Sequence, residues 1–169
     1  MTTLALRPQR GGFVRAFGCG LFIRDFLLGI GPHGSPRINP EIGDYQANIF
    51  YHYKIAIIKA TALDRATRQE EKKAHGEKRP INPDNIDEIA RNYQARMPYK
   101  AQGCRYHSFV VYFSNLIRLG WVEFTGKEEA SEFQEHYSQG QPRKYYRLTI
   151  AGRAASDAAW ANPRLALYG

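Results

Sequence analysis

The sequence predicts a mainly α-helical protein with one small β-hairpin. Apolar residues recur at helical spacing in several long stretches, whereas strand-forming residues cluster most clearly in WVEFT and KYYRLTI, in the second half of the chain. Of the 169 residues, 43% are apolar and 13% are aromatic, so the chain can bury a core of its own. This composition argues against a disordered chain and against a small scaffold held together by disulfides.

The composition also limits the location and the partners of the protein. Lys and Arg number 24 against 16 Asp and Glu, and the resulting charge of +8 suits a polyanion such as nucleic acid or an acidic membrane surface. The most apolar early stretch, Phe17 to Gly31, is interrupted by Arg24 and Asp25 and is shorter than the roughly 20 residues that span a bilayer. We therefore expect neither a signal peptide nor membrane contact. Cys19 and Cys104 cannot form a disulfide framework, and a cytoplasmic protein is predicted.

Residues 1–80 are predicted to form a basic arm followed by two helices, which could contact a partner. Residues 1–11 carry turn formers and arginines without periodicity, which indicates a mobile arm. A first helix is expected from about Phe13 to Leu28, where Gly29 ends it, and a loop rich in glycine and proline follows.

A long helix is predicted over about residues 41–75, because no proline occurs between Glu41 and His75. Its apolar residues follow one widened helical stripe, made of Ile42, Ile49, Tyr53, Ala56, Ala60 and Leu63 with Phe50, Ile57 and Ile58. At 1.5 Å per residue such a helix is about 50 Å long, which exceeds the diameter of a small domain. It is either a core element of this chain or a surface that pairs with a second copy or another protein. Its last turns are polar all round and are expected to project or fray.

Residues 81–169 are predicted to form a second domain. A helix start at Asn82, Pro83 and Asp84 is followed by a break at Pro98 and Gly103, and a second helix runs from about Tyr106 to Leu119. Its inward face is expected to carry Phe109, Phe113, Leu116 and Leu119, and Gly120 should end it with a positive φ. Two strands follow, separated by a polar excursion from Gly126 to Pro142, and a final alanine-rich helix runs from Thr149 or Ala151 through Trp160.

This order of elements, helix, break, helix, glycine, strand, loop, strand and helix, resembles a winged helix-turn-helix preceded by N-terminal helices. Two motifs add weight, and they comprise Phe109, Phe113, Leu116, Leu119, Gly120, Val122 and Glu123, and then Tyr146, Leu148, Thr149, Gly152 and Arg153. They are similar to the recognition helix, wing and following helix of transcription regulators of the MarR and PadR type, over about residues 82–158. The resemblance implies a DNA-binding transcription regulator that dimerises through helices flanking the domain.

The distribution of charge favours the same interpretation. Between Ile89 and Val122 there are five Lys and Arg residues and no Asp or Glu, although a solvated face on a basic protein would give the same pattern. Residues expected to meet the groove of duplex DNA are Arg105, His107, Ser108, Asn115 and Arg118. Residues expected to hold phosphates are Arg91, Arg96, Lys100, Arg143 and Lys144.

Two features of the second half favour a different function. Val110, Val111 and Tyr112 offer few hydrogen-bond donors to bases, so they either pack against the N-terminal helices or form a partner surface. The expected wing tip carries the acidic residues Glu128, Glu129, Glu132 and Glu135, which suit phosphate poorly. The alternative is therefore an adaptor or scaffold subunit of a nucleoprotein complex, which binds proteins through its apolar helices.

No pattern in the sequence indicates catalysis. The five histidines show no metal-ligand spacing, and the GKEE sequence at Gly126 lacks the hydroxyl residue of a phosphate-binding loop. We expect a protein that is not an enzyme and has no metal or cofactor.

Overall fold

The computed structural model describes residues 7–8, 14–15, 18–34, 37–96, 106–130 and 142–168. Within them the protein is mainly helical, with a small three-stranded antiparallel sheet. Among these residues no helix combines the length and the apolar character that crossing a bilayer requires.

The elements follow one another in an order close to the predicted one. The helices are α1 (Cys19–Leu28), α2 (Gln46–Glu77), α3 (Pro83–Arg96), α4 (Tyr106–Arg118), α5 (Ile150–Ala154), α6 (Asp157–Ala161) and α7 (Pro163–Tyr168). The strands are β1 (Arg7–Pro8), β2 (Val14–Arg15), β3 (Asp44–Tyr45), β4 (Val122–Glu129) and β5 (Arg143–Leu148). β1 pairs antiparallel with β2, and the three-stranded sheet has the order β3-β5-β4.

The chain divides into two compact units, and α2 contributes to both of them. We call Phe17–Tyr53 with Arg105–Gly169 the aromatic unit, and Met1–Ala16 with Lys54–Cys104 the hairpin unit. This division places α3 in the hairpin unit and α4 in the aromatic unit. It does not test the predicted domain boundary between residues 80 and 81, which stays a prediction.

The aromatic unit is built around the first two turns of α2. Phe50 and Tyr53 lie against Phe109 of α4, with ring centroids 5.3 and 6.3 Å apart, and Tyr53 lies 5.2 Å from Phe22 of α1. At the other end of this core the ring of Trp121 lies 4.8 Å from that of Trp160, which is fully buried. Since each large aromatic side chain buries about 150–250 Å², these contacts remove a large apolar area from water.

The hairpin unit has a different kind of core. The two helices α2 and α3 meet through Ala62, Ala66 and Ala90, and the partly buried Ile86, Ile89 and Tyr93 pack around these alanines. Small side chains allow close packing but remove little apolar area from water. The hairpin therefore depends on further interactions at its turn.

A buried ion pair supplies those interactions. The carboxylate of Glu70 is fully buried and accepts hydrogen bonds from the guanidinium of Arg79 at 2.7 and 3.2 Å, from the backbone N–H of Asn82 at 3.2 Å and from the Asn85 amide at 3.1 Å. One side chain of α2 thus binds both the turn and the start of α3. The prediction that the last turns of α2 project or fray is wrong. These turns are polar in sequence, but Glu70 among them is buried by its hydrogen bonds with Arg79, Asn82 and Asn85.

Several predicted boundaries are confirmed and others need correction. The helices from Pro83 and Tyr106 and both strands of the hairpin are confirmed, with Val122 opposite Leu148 and Phe124 opposite Tyr146. The polar excursion does not begin at Gly126, because β4 continues to Glu129, which pairs with Arg143. The first helix begins at Cys19 instead of about Phe13, and the long helix begins after a strand, β3, that was not predicted. The single C-terminal helix is three short ones, because Ser156 caps α6 through the backbone N–H of Ala159 and Pro163 begins α7.

Gly43 is expected to be essential for the pairing of β3 with β5. Its φ is +71°, and a Cβ at this position would lie 1.7 Å from the carbonyl oxygen of Tyr146. We expect Gly43→Ala to destabilise the aromatic unit by at least about 1–3 kcal/mol, the cost of an unfavourable φ alone. The measurement is urea unfolding followed by the fluorescence of Trp121 and Trp160.

Gly18→Ala is the matched control in the same unit. A Cβ at Gly18 would meet its nearest neighbour at 3.9 Å and its φ is −72°, so replacement should change the stability by no more than about 1 kcal/mol. Equal effects of the two substitutions would contradict the role given to Gly43.

Glu70 is expected to make the stability of the hairpin unit depend on pH. The hydrogen bonds from Arg79 lower the pKa of Glu70 to about 2, against the opposing effect of burial. A carboxylate with a lowered pKa in the folded state stabilises the protein above its unfolded pKa, about 4.5, and this stabilisation is lost as the pH falls towards 2. Glu70→Gln should therefore lower the thermal midpoint, measured by far-UV circular dichroism, strongly near neutral pH and less at about pH 3.

Glu71→Gln is the control, because Glu71 is exposed and adjacent in sequence. It should leave the midpoint nearly unchanged at both pH values. A pH-independent effect of Glu70→Gln would show that the charge of Glu70 does not stabilise the hairpin.

Candidate nucleic-acid interface

The helix α4 is fixed to the aromatic unit along one face. Phe109, Phe113 and Leu116 follow one another at helical spacing and are at most 2% exposed. The ring of Phe113 lies edge-on against Tyr146 of β5, with centroids 5.1 Å apart. Contacts with α2 on one side and the sheet on the other hold α4 in a single orientation.

The opposite face of α4 is open to solvent and mostly polar. His107, Val111, Ser114 and Arg118 recur at helical spacing and are all exposed. Ser108, exposed, and Asn115, half-buried, border this face, and no residue of α4 is acidic. It therefore presents hydroxyl, amide, imidazole and guanidinium groups, all of which bond to base edges or phosphates.

A hydrogen-bonded junction connects α4 to the strands. Gly120 has the predicted positive φ, 74°, and the backbone N–H of Trp121 donates to the Leu116 carbonyl at 3.1 Å. Thr149 closes the junction from the other side, since its N–H donates to the Trp121 carbonyl at 2.9 Å and its hydroxyl accepts from Gly152 N–H at 2.9 Å. A Cβ at Gly152 would lie 2.2 Å from the Trp121 carbonyl oxygen. Thr149 and Gly152 of the second motif therefore have structural roles, independent of any ligand.

The predicted phosphate ligands of β5 are engaged within the protein. The guanidinium of Arg143 lies 4.9 Å from the ring centroid of Tyr45, and the ammonium of Lys144 lies 5.6 Å from that of Phe124. In the strand register these cations stand opposite Glu129 and Glu128, respectively. The positive charge of this end of the hairpin is thus largely balanced by its own carboxylates.

The remaining predicted ligands are divided over the chain. Arg91 and Arg96 lie exposed on α3 and so belong to the hairpin unit. Lys100 and Arg105 lie outside the described residues, as do Glu132 and Glu135 of the expected wing tip. Within the aromatic unit, the structure brings together His107, Ser108, Asn115 and Arg118 on α4.

Two alternatives were predicted for residues 110–112, packing against the N-terminal helices or forming a partner surface. The hydroxyl of Tyr112 lies beside Gly20 of α1, where an added Cβ would be 2.7 Å from it, so this side chain packs against an N-terminal helix as one alternative predicted. Val110 is half-buried, whereas Val111 is 50% exposed in the middle of the open face.

A tyrosine pair on the sheet was not predicted. Tyr45 and Tyr145 are opposite each other in β3 and β5, with ring centroids 5.7 Å apart, and the ammonium of Lys127 lies 4.3 Å from the ring centroid of Tyr145. Burial raises the pKa of Tyr145 to about 12, and the carboxylate of Glu129, which accepts a hydrogen bond from its hydroxyl, acts in the same direction. Tyr145 thus keeps a neutral hydroxyl at physiological pH. The alternation of Arg143 and Tyr145 in sequence signals a shared strand face, but the partner strand is too short to predict.

The chain matches no protein-family model, and neither the curated proteins nor the solved structures include one that is significantly similar to it.

Proposed function

We propose that this protein is a winged-helix DNA-binding protein, a dimeric transcription regulator in which α4 enters the major groove of duplex DNA. The observation that carries the proposal is the open face of α4, polar and free of acidic residues, on a helix whose opposite face is locked into an aromatic core. A rigid surface helix of this kind fits a groove about 12 Å wide.

The connectivity of the aromatic unit supports the proposal. Along the chain its described elements are a helix, a short strand, the start of a long helix, the helix α4, two antiparallel strands and three short helices, and β5 pairs with β3. A winged helix has a similar order of elements, and in our proposal β4 and β5 are its wing. The motifs that resemble MarR and PadR regulators lie on α4 with β4 and on β5 with α5.

The proposed helix-turn-helix differs in one respect from the sequence prediction. The helix that precedes and supports α4 is the beginning of α2, through Phe50 and Tyr53, rather than α3. Residues 54–96, which belong to the hairpin unit, then lie between the two helices of the motif along the chain. Sequence patterns alone favour α3, because it is the helix nearest to α4 along the chain.

The charge and the neighbours of each side chain determine the role that we propose for it in DNA binding. Arg118 is exposed at the end of α4, and no acidic partner of it occurs among the described residues, so it is suited to a phosphate. His107, Ser108, Ser114 and Asn115 are suited to base edges. Arg143 and Lys144 would first have to leave their aromatic and acidic neighbours, so we assign the wing a smaller contribution.

A second candidate function is the adaptor, which a specific observation favours. Val111 and Ile117 of α4 and Phe124 of β4 are 50%, 37% and 43% exposed, and exposed apolar side chains suit a contact with another protein better than a contact with phosphate. In that function α4 would bind a protein of a nucleoprotein complex, and the acidic residues of β4 would be compatible with it.

Arg118→Ala is expected to weaken the binding of a random-sequence DNA duplex. Loss of one phosphate contact should reduce the affinity about 10-fold near 0.1 M salt and make the log–log salt slope less negative by about 1, because fewer counterions are released. Fluorescence anisotropy of a labelled duplex over a series of salt concentrations measures both quantities.

Arg164→Ala is the matched control, because Arg164 is an exposed arginine of the same unit, on α7. It should change the affinity much less and leave the slope unaltered. Equal losses for the two variants would refute the role of α4, and absence of binding by the wild-type protein at low salt would favour the adaptor.

A further inference from the structure

The hairpin unit carries a groove that the proposed DNA contact does not use. It is lined by residues of α2 and α3 and has a volume of about 670 Å³. Ala90, 7% exposed, lies in its lining, and Leu63 of α2 is 51% exposed beside it. A leucine exposed to this extent next to a groove gains stability if an apolar surface covers it.

The charged residues of the groove are arranged by sign along its length. Asp84, Asp87 and Glu88 lie in the first turns of α3, near the turn of the hairpin, whereas Arg91 follows one turn later. Lys59 lies on α2 one turn before Leu63, on the side away from the hairpin turn. Leu63 therefore separates an acidic end from a basic end.

These charges are not neutralised within the part of the chain that the structure describes. There, none of the acidic groups Asp84, Asp87 and Glu88 forms an ion pair, and neither do Lys59 and Arg91. By contrast, Arg68 pairs with Asp64 at 3.2 Å and Arg79 with Glu70 at 2.7 Å in the same unit. The charges that line the groove are thus available to a partner.

We infer that the groove binds the same groove of a second copy of this chain, with a two-fold axis near Leu63. A two-fold interface brings one surface against itself in the opposite direction, so it requires a patch that is complementary to its own reversal. Reversal places the acidic end of one copy against Lys59 and Arg91 of the other, twice per dimer, and pairs the two Leu63 side chains.

The charge pattern favours this partner over the others. A nucleic acid would place phosphates against three carboxylates, which outnumber the two cations of the lining. A uniformly basic or acidic peptide would match only one end. The inference rests on the proposed function only in that a dimer is part of it, and the groove itself carries the argument.

Leu63→Asp is expected to abolish the dimer. Mass measurement in solution between about 1 and 100 µM, without DNA, should show concentration-dependent dimerisation of the full chain, and the variant should dissociate at least about 10-fold more readily. Leu165→Asp is the control, because Leu165 is 67% exposed on α7, outside the groove. A wild-type protein that is monomeric throughout this range, or equal weakening by both substitutions, overturns the inference.

A pair of charge variants tests the orientation of the two copies. Asp87→Lys with Glu88→Lys leaves Asp84 as the one acidic residue beside four cations of the lining, and Lys59→Glu with Arg91→Glu makes the lining wholly acidic, so neither variant should self-associate. Their equimolar mixture should form a heterodimer that weakens at high salt, which also shows that both variants fold. A mixture that stays monomeric overturns the inference. Since DNA is absent, loss of DNA binding would refute the proposed function and leave this result unaffected.

Discussion

The packing of the first two turns of α2 against α4, through Phe50, Tyr53 and Phe109, is the contact on which the rest of the structure depends. It joins parts of the chain that are far apart in sequence, so its formation closes a long loop at an entropic cost that local contacts do not repay. Three large rings offset that cost because they bury much apolar area and pack with their planes tilted at close distances. The helix α4 is thus held by Phe50 and Tyr53 on one side and by Tyr146 on the other, and its remaining face is exposed in a fixed orientation.

The hairpin unit, whose helices α2 and α3 precede α4 in the chain, is stabilised in a different way. The hairpin unit has an alanine-rich seam, which brings two helices close together but gives little hydrophobic stabilisation. The carboxylate of Glu70 compensates, because it satisfies the turn, the start of α3 and the guanidinium of Arg79 at once. A buried carboxylate with that many donors is stable as a charge, whereas removal of one partner would leave the others buried without a counterpart. A single long helix, α2, therefore takes part in two cores of opposite chemical character.

The parts of the fold that were predictable from sequence are those with long periodic patterns. Phe109, Phe113 and Leu116 identify the buried face of α4, and hence its open face with His107 and Arg118, from spacing alone. The strand β3 has only two residues, Asp44 and Tyr45, and forms through pairing with β5, so no local pattern announces it. The role of Glu70 was missed for a similar reason, since its partners follow nine to fifteen positions later and the surrounding residues are polar. Sequence periodicity does not show which elements pack against each other. It therefore does not distinguish α3, which packs in the alanine core of the hairpin unit, from α4, which packs against Phe50 in the aromatic unit.

The net charge of +8 indicates a partner only after the cations that are paired within the protein are distinguished from those that are not. Arg147 and Arg153 bind Glu41 at the edge of the sheet, with Arg147 also bound to Glu123, while Arg143 and Lys144 stand opposite carboxylates. These cations stabilise the sheet and its neighbours, and a polyanion would have to displace their partners. Arg118 on α4 and Arg91 with Lys59 on the hairpin carry charges without such competition, and they lie in surroundings of different composition. The helix that carries Arg118 has no acidic residue, which favours a phosphate. The groove that contains Arg91 has an acidic end as well as a basic one, which favours the same surface in reverse. The open face of α4 and the groove of the hairpin unit are thus suited to different partners.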